Sequence, residues 1–158
     1  MNAPLQRLRA EIRFDRDTFA KRIEELGGLK LSARNKAQNA LAAVALHHAY
    51  GSIEATMERI ARQIDGDLPR GRDWHQALLH SMGLDIEGVR PALFSRVSVN
   101  ALREVLGFRH FFRHAYSVEL DAERLGDLRK TIIGAAPQTL AELEAFDAFL
   151  APVANADD

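Results

Sequence analysis

Leu106-Gly-Phe-Arg-His-Phe-Phe-Arg-His-Ala-Tyr-Ser-Val-Glu119 crowds five ionisable or phenolic side chains, Arg109, His110, Arg113, His114 and Tyr116, among three phenylalanines. The residues leading into it, Ser98 to Phe112, predict a helix. At about 100° per residue, Ala101, Val105, Phe108 and Phe112 fall within one apolar stripe. On the same wheel Arg109 lies beside Leu102 and Val105, on the core side, and Tyr116 projects close to the same line. Burying an unpaired guanidinium is costly, so Arg109 needs a partner, an interface or a cleft. The bland alternative is that its aliphatic stem packs while the charged head reaches water.

Outward from that stretch, the chain reads as one ordinary globular domain. Its 158 residues are enough for a sizeable core, with 47% hydrophobic and 27% charged side chains. The net charge of −1 hides an asymmetry, because seventeen of the twenty-one basic residues are arginines. Arginine suits phosphate, but such enrichment also follows from GC-rich coding, and no global basic field advertises nucleic acid. Any such site must be local. The absence of cysteine excludes disulfides, thiolate catalysis and cysteine metal sites. With no apolar leader and no stretch long enough to span a membrane, the expected location is cytoplasmic, with no membrane partner.

Four further helices follow from periodicity. Leu5, Leu8, Ile12, Phe19, Ile23 and Leu26 keep helical spacing up to Gly27-Gly28, and the interleaved charges read as a solvated face. Ser32 is the expected cap of a long second helix ending at Asp65-Gly66. Adjacent His47 and His48 point about 100° apart, which argues for packing rather than metal binding. Asp73 caps a short helix, Trp74–Met82; His75 and His80, five apart, do not share one face and read as bystanders. Ser98 caps the helix already described, and Asp121 the next. Pro137 ends or kinks that one before Leu140, Leu143, Phe146, Phe149 and Leu150 continue its pattern. Residues 1–4 and 153–158 are expected to fray. Without strand alternation or repeats, the fold class is all-α, a bundle of four to five main helices over residues 1–158.

Motif chemistry narrows in the same way. There is no strand for a phosphate loop to follow, no His-Glu-x-x-His zinc pattern and no Glu-x-x-His di-iron pair; no cofactor or metal is expected. Only two tyrosines exist, so a tyrosine two places after a histidine that itself lies five places after an arginine is a selective combination. Arg70 with His75 lacks it.

Arg109-His-Phe-Phe-Arg-His114-Ala-Tyr116 resembles the Arg-x4-His-x-Tyr signature of HepT-type toxins, in the HEPN superfamily of all-α ribonucleases. His110 matches that superfamily's preference for a polar residue after the arginine. The specific match covers about residues 100–125. The resemblance implies a HEPN-like bundle that works as a homodimer, cleaves RNA without metal and belongs to a type VII toxin–antitoxin system. Its partner would be an MntA-like nucleotidyltransferase antitoxin. By the same resemblance Arg109 and His114 are catalytic, His110 and Arg113 supporting, and Tyr116 the residue silenced by adenylylation.

Independently of the family, metal-free RNA cleavage needs a proton taken from the 2′-hydroxyl, one given to the 5′-oxygen, and charge neutralised at phosphorus. Histidine and arginine are suited to those tasks, with a 2′,3′-cyclic phosphate as the expected product. Geometry raises a difficulty: five residues on an unbroken helix separate Arg109 and His114 by about 140°. Either the helix breaks near Arg113, or a second subunit supplies the missing half, in which case the stripe bearing Arg109 faces that partner. A non-catalytic HEPN-like module that binds RNA or nucleotide, and a helical interaction scaffold, are the alternatives.

Overall fold

A computed structural model describes the backbone of residues 1–114 and 120–156, and side chains at 1–109 and 120–156. Five α-helices follow one another: α1 (Ala3–Gly27), α2 (Lys36–Ile60), α3 (Trp74–Met82), α4 (Arg96–His114) and α5 (Ala122–Asn155). The architecture is all-α. Helix α2 touches each of the other four. Its alanines Ala42, Ala43, Ala45 and Ala49 are buried beside Leu46, Tyr50, Ile53 and Met57, and short side chains of this kind permit close helix approach. Residues from all five helices join one hydrophobic core.

Local chemistry explains the boundaries. Asn2 accepts a hydrogen bond from Leu5 N at 3.1 Å, and Pro4 lies in the first turn of α1. Asn35, not Ser32, caps α2: its Oδ1 accepts from Gln38 N at 3.2 Å, whereas the Ser32 carbonyl is taken by the Asn39 side chain. A π-helical turn, Ala61–Asp65, ends α2, and Gly66 there adopts φ 80°, the left-handed conformation that glycine tolerates best. The polar segment after it is tied down by Arg90, whose wholly buried side chain forks onto both oxygens of Asp65 at 2.6 and 2.8 Å.

Helix α4 starts at Arg96, ahead of the expected cap Ser98. Ser98 is instead fully buried and donates to Glu142 at 2.8 Å, while Ser95 Oγ accepts from Ser98 N. Pro137 does not end α5. The cost of a proline inside a helix is about 3 kcal/mol. Ala135, Ala136, Thr139, Leu143, Phe146 and Leu150 are all buried around and beyond it, and each large apolar side chain contributes roughly 1.5–3 kcal/mol. Continued burial outweighs the local loss.

The chain ends expected to fray are held as far as residues 2 and 155. Asn2 N donates to the Ala154 carbonyl at 3.1 Å, and Gln6 Nε2 to Asn155 Oδ1 at 2.6 Å; residues 157 and 158 lie outside the described ones. Nor is the charged face of α1 wholly solvated. Asp15 is buried, bonded to Thr56 Oγ1 at 2.8 Å and paired with Arg59. Burial raises its pKa, against the lowering pull of those two partners. Asp147 on α5 takes Arg9 at 2.8 Å and Arg13 at 2.9 Å from α1.

Partial burial pushes the Asp147 carboxyl up, but the hydrogen bonds and charges of the two arginines bring it below the usual aspartate value. A depressed carboxyl adds stability above its unfolded pKa and loses it as pH falls through the folded one. Asp147→Asn should therefore lower the urea midpoint at neutral pH. The deficit should close as pH falls below the ordinary aspartate range. A deficit that stays constant with pH would show that charge is not its origin.

Candidate functional site

Helix α4 carries Arg109 on its core side, as its wheel position requires. No second subunit is needed to explain that position. The Arg109 Nη1 donates to Oε1 of Glu54 on α2 at 2.9 Å, and its guanidinium carbon sits 5.4 Å from the ring centroid of Tyr50, one helical turn before Glu54. The Arg109 side chain is 13% exposed and that of Glu54 7%. Glu54 is thus a buried carboxylate with a guanidinium against it, a far cheaper arrangement than either charge alone.

The second oxygen of Glu54 is also engaged. Nδ1 of His75, in the first turn of α3, lies 2.8 Å from Oε2. The His75 ring stacks against Trp74 with centroids 3.6 Å apart. His75 is therefore no bystander. The five-residue interval from His80 rules out a shared face within α3, but it does not bear on contacts that α3 makes with α2. One carboxylate consequently ties three helices together: α2 through Glu54, α4 through Arg109 and α3 through His75.

One buried polar atom at this point, Nε of Arg109, makes no hydrogen bond among the described residues. Burial, then the charge of Glu54 and the hydrogen bond of the hydroxyl to that carboxylate, push the Tyr50 phenol far above its ordinary pKa, with Arg109 pulling the other way. Tyr50 thus remains a neutral ring under the guanidinium at physiological pH.

Of the residues singled out from sequence, Arg109 is the one whose surroundings are described. Helix α4 continues without a break through Arg113 to His114, so Arg109 and His114 hold positions about 140° apart around its axis. The side chains of His110, Arg113 and His114, and Tyr116 altogether, lie outside the described residues. Glu54 and His75 were missed in the sequence. A usable signal existed for Glu54: it stands one place from Ile53 and three from Met57 on the apolar half of α2, and a carboxylate there demands a buried cation, just as Arg109 demands an anion.

An all-α bundle with a buried carboxylate clasping the arginine of an Arg-x4-His-x-Tyr motif is the class of protein that fold and site define. The family model described as HepT-like protein matches residues 41–150, more than half of the chain and the whole of this site. The chain belongs to the HepT-like family. No curated protein and no solved structure matches it.

Tyr50→Phe keeps the ring under Arg109 and removes the hydroxyl's interaction with Glu54. Its urea-derived stability should fall by about 1 kcal/mol. A stability equal to or above that of the parent would show that the hydroxyl contributes no bond to the carboxylate.

Proposed function

We propose that this chain is a metal-independent endoribonuclease toxin of a type VII, HepT/MntA-like system, with Arg109 and His114 as its catalytic pair. The family to which it belongs is of the HEPN type and is generally one of ribonuclease toxins. The observation that carries the assignment to this site is the clasp on Arg109: Glu54 takes one of its five N–H donors and fixes the plane of the fork. Donors that remain can face a phosphate without further ordering, which is the condition for strong electrostatic stabilisation.

In this scheme the scissile phosphate sits against Arg109. His114 exchanges a proton with the sugar or the leaving oxygen, and His110 and Arg113 support the phosphate. The angular separation along α4 favours a homodimer, in which α4 helices from two copies face one cleft and His114 of one copy serves Arg109 of the other. An MntA-like nucleotidyltransferase antitoxin would silence the enzyme by adenylylating Tyr116, adding bulk and negative charge that compete with RNA for the arginine. The proposed setting is the cytoplasm; among the described residues no helix is long and apolar enough to cross a membrane.

One observation favours a second reading. Arg109 is mostly covered and its charge is already opposed by Glu54, so a non-catalytic HEPN-like module that binds RNA or nucleotide, or a helical interaction scaffold, is the alternative.

Incubating the protein with RNA in chelator and mapping the ends separates the two. The toxin reading predicts cleavage with 2′,3′-cyclic phosphate ends and a loss of about 10²–10⁴-fold in His114→Ala. Binding without cleavage, indifferent to His114→Ala, would replace it with the module. Co-expression supplies a separate check on silencing: Tyr116→Phe should stay toxic in the presence of an MntA-like antitoxin. Full neutralisation of that variant would rule out Tyr116 as the modified residue.

A further inference from the structure

Along α2, Ala37, Leu41, Val44, His48, Gly51 and Ala55 recur every three or four residues, the spacing of one helical face. That face carries no charged residue and is open or half-open to solvent, with Leu41 53% and Val44 41% exposed. Beside it, α1 presents Arg7, Glu11, Phe14, Thr18, Lys21 and Glu25 at the same spacing. Arg7 and Glu11 line one groove with Gly51, Ala55 and Glu58; Lys21 and Glu25 line another with Leu41, Val44 and His48. Phe14, 72% exposed, falls between the two. The ion pair of Glu11 with Arg59, and the bond from Thr56 to Asp15, set Phe14 level with the Ala55–Glu58 stretch of α2.

Three large apolar side chains open on one face favour a partner that covers them. The face is complementary to itself. An antiparallel second α2, related by a two-fold axis at the level of Ala49 and Tyr50, pairs residues that mirror one another about that level. Val44 then meets Ala55, His48 meets Gly51, and Leu41 meets Phe14 and the stem of Glu58, each in both directions. A large side chain faces a small one at the two central steps, which lets the helices approach closely. Gly51 has no use inside the chain: a Cβ there would meet no atom of the described residues within 4 Å, although glycine weakens a helix interior relative to alanine. From Ala37 to Glu58 the face is about 32 Å long and, across two adjacent helices, about 20 Å wide, roughly 600 Å² per copy, which reaches the size of a specific interface.

We propose that the α1–α2 face is a self-association surface on which a second copy of this chain docks, α2 antiparallel to α2, with Phe14, Leu41 and Val44 of both copies buried at the seam. No described residue of α4 lines either groove. This two-fold is therefore separate from the α4 pairing above, and it does not depend on the ribonuclease reading.

Light scattering on the full chain at micromolar concentration should give a mass at least twice that of one chain, and Val44→Glu should halve it with the circular dichroism unchanged. Val44 is open to solvent in the single chain, so the substitution spares the core. Crosslinking supplies a second measurement. The chain holds no cysteine, so a Val44→Cys, Ala55→Cys double variant adds the only two thiols. Within one copy these lie about 16 Å apart along the axis, too far for a short bismaleimide to bridge, whereas across the seam they meet. That variant should give a covalent dimer, and Gln76→Cys on α3 should not. A mass unchanged in Val44→Glu, or crosslinking no greater than in Gln76→Cys, would overturn this seam and leave the α4 pairing standing. A monomeric parent would overturn both and leave the face to a different protein.

Discussion

A carboxylate in a protein interior has to be neutralised, and at the centre of this bundle that requirement falls on Glu54. Burying it without a cation would cost several kcal/mol, so the helices that surround it have to deliver one. Helix α4 delivers Arg109, and α3 adds His75 as a hydrogen-bond partner of the second oxygen. The pairing explains why an arginine can occupy the apolar stripe of α4 with Leu102, Val105 and Phe108 buried around it. It also fixes the rotation of α4 about its axis, since a turn of even one residue position would swing the guanidinium about 100° from its partner. Hydrophobic burial holds the helices together; this polar contact specifies how they are oriented.

The matched family region begins at residue 41, so α1 lies outside it. Helix α1 nevertheless packs along both α2 and α5 and is clasped by Arg9 and Arg13 on Asp147 and by Asp15 with Thr56 and Arg59. Its role in the fold is to cover α2 and α5. The long, proline-containing α5 spans the bundle and receives the start of α4 through Glu142, which binds Ser95 and Ser98. The motif-bearing helix is therefore tied at its start through Glu142 and at Arg109 through Glu54.

Much of this was legible in the sequence where the deciding interaction is local. Apolar spacing placed all five helices, Asp121 was recognisable as a cap, and Asp65-Gly66 as a stop. Errors arose where a distant partner overrides a local rule. Ser98 looks like a cap but serves Glu142, and Ser32 yields to Asn35. Pro137 would stop an isolated helix, yet it sits in one whose burial continues past it. Asp15 reads as solvated until Thr56 and Arg59 are brought to it. At the site, the uneasy placement of Arg109 was visible, while its partner was not: Glu54 lies fifty-five residues away, and spacing rules within one helix say nothing about which two stripes meet. His75 was set aside by such a rule, which applies to α3 alone.

The central claim is that Glu54 and Arg109 act as one unit within a single subunit. A double-mutant cycle in urea, with Glu54→Gln, Arg109→Gln and the two combined, measures it directly. The account predicts that each single variant is destabilised and that the double variant recovers part of the loss, with a coupling energy above about 1 kcal/mol. Losses that add to within roughly 0.3–0.5 kcal/mol would show that the two side chains do not depend on each other, and would contradict it.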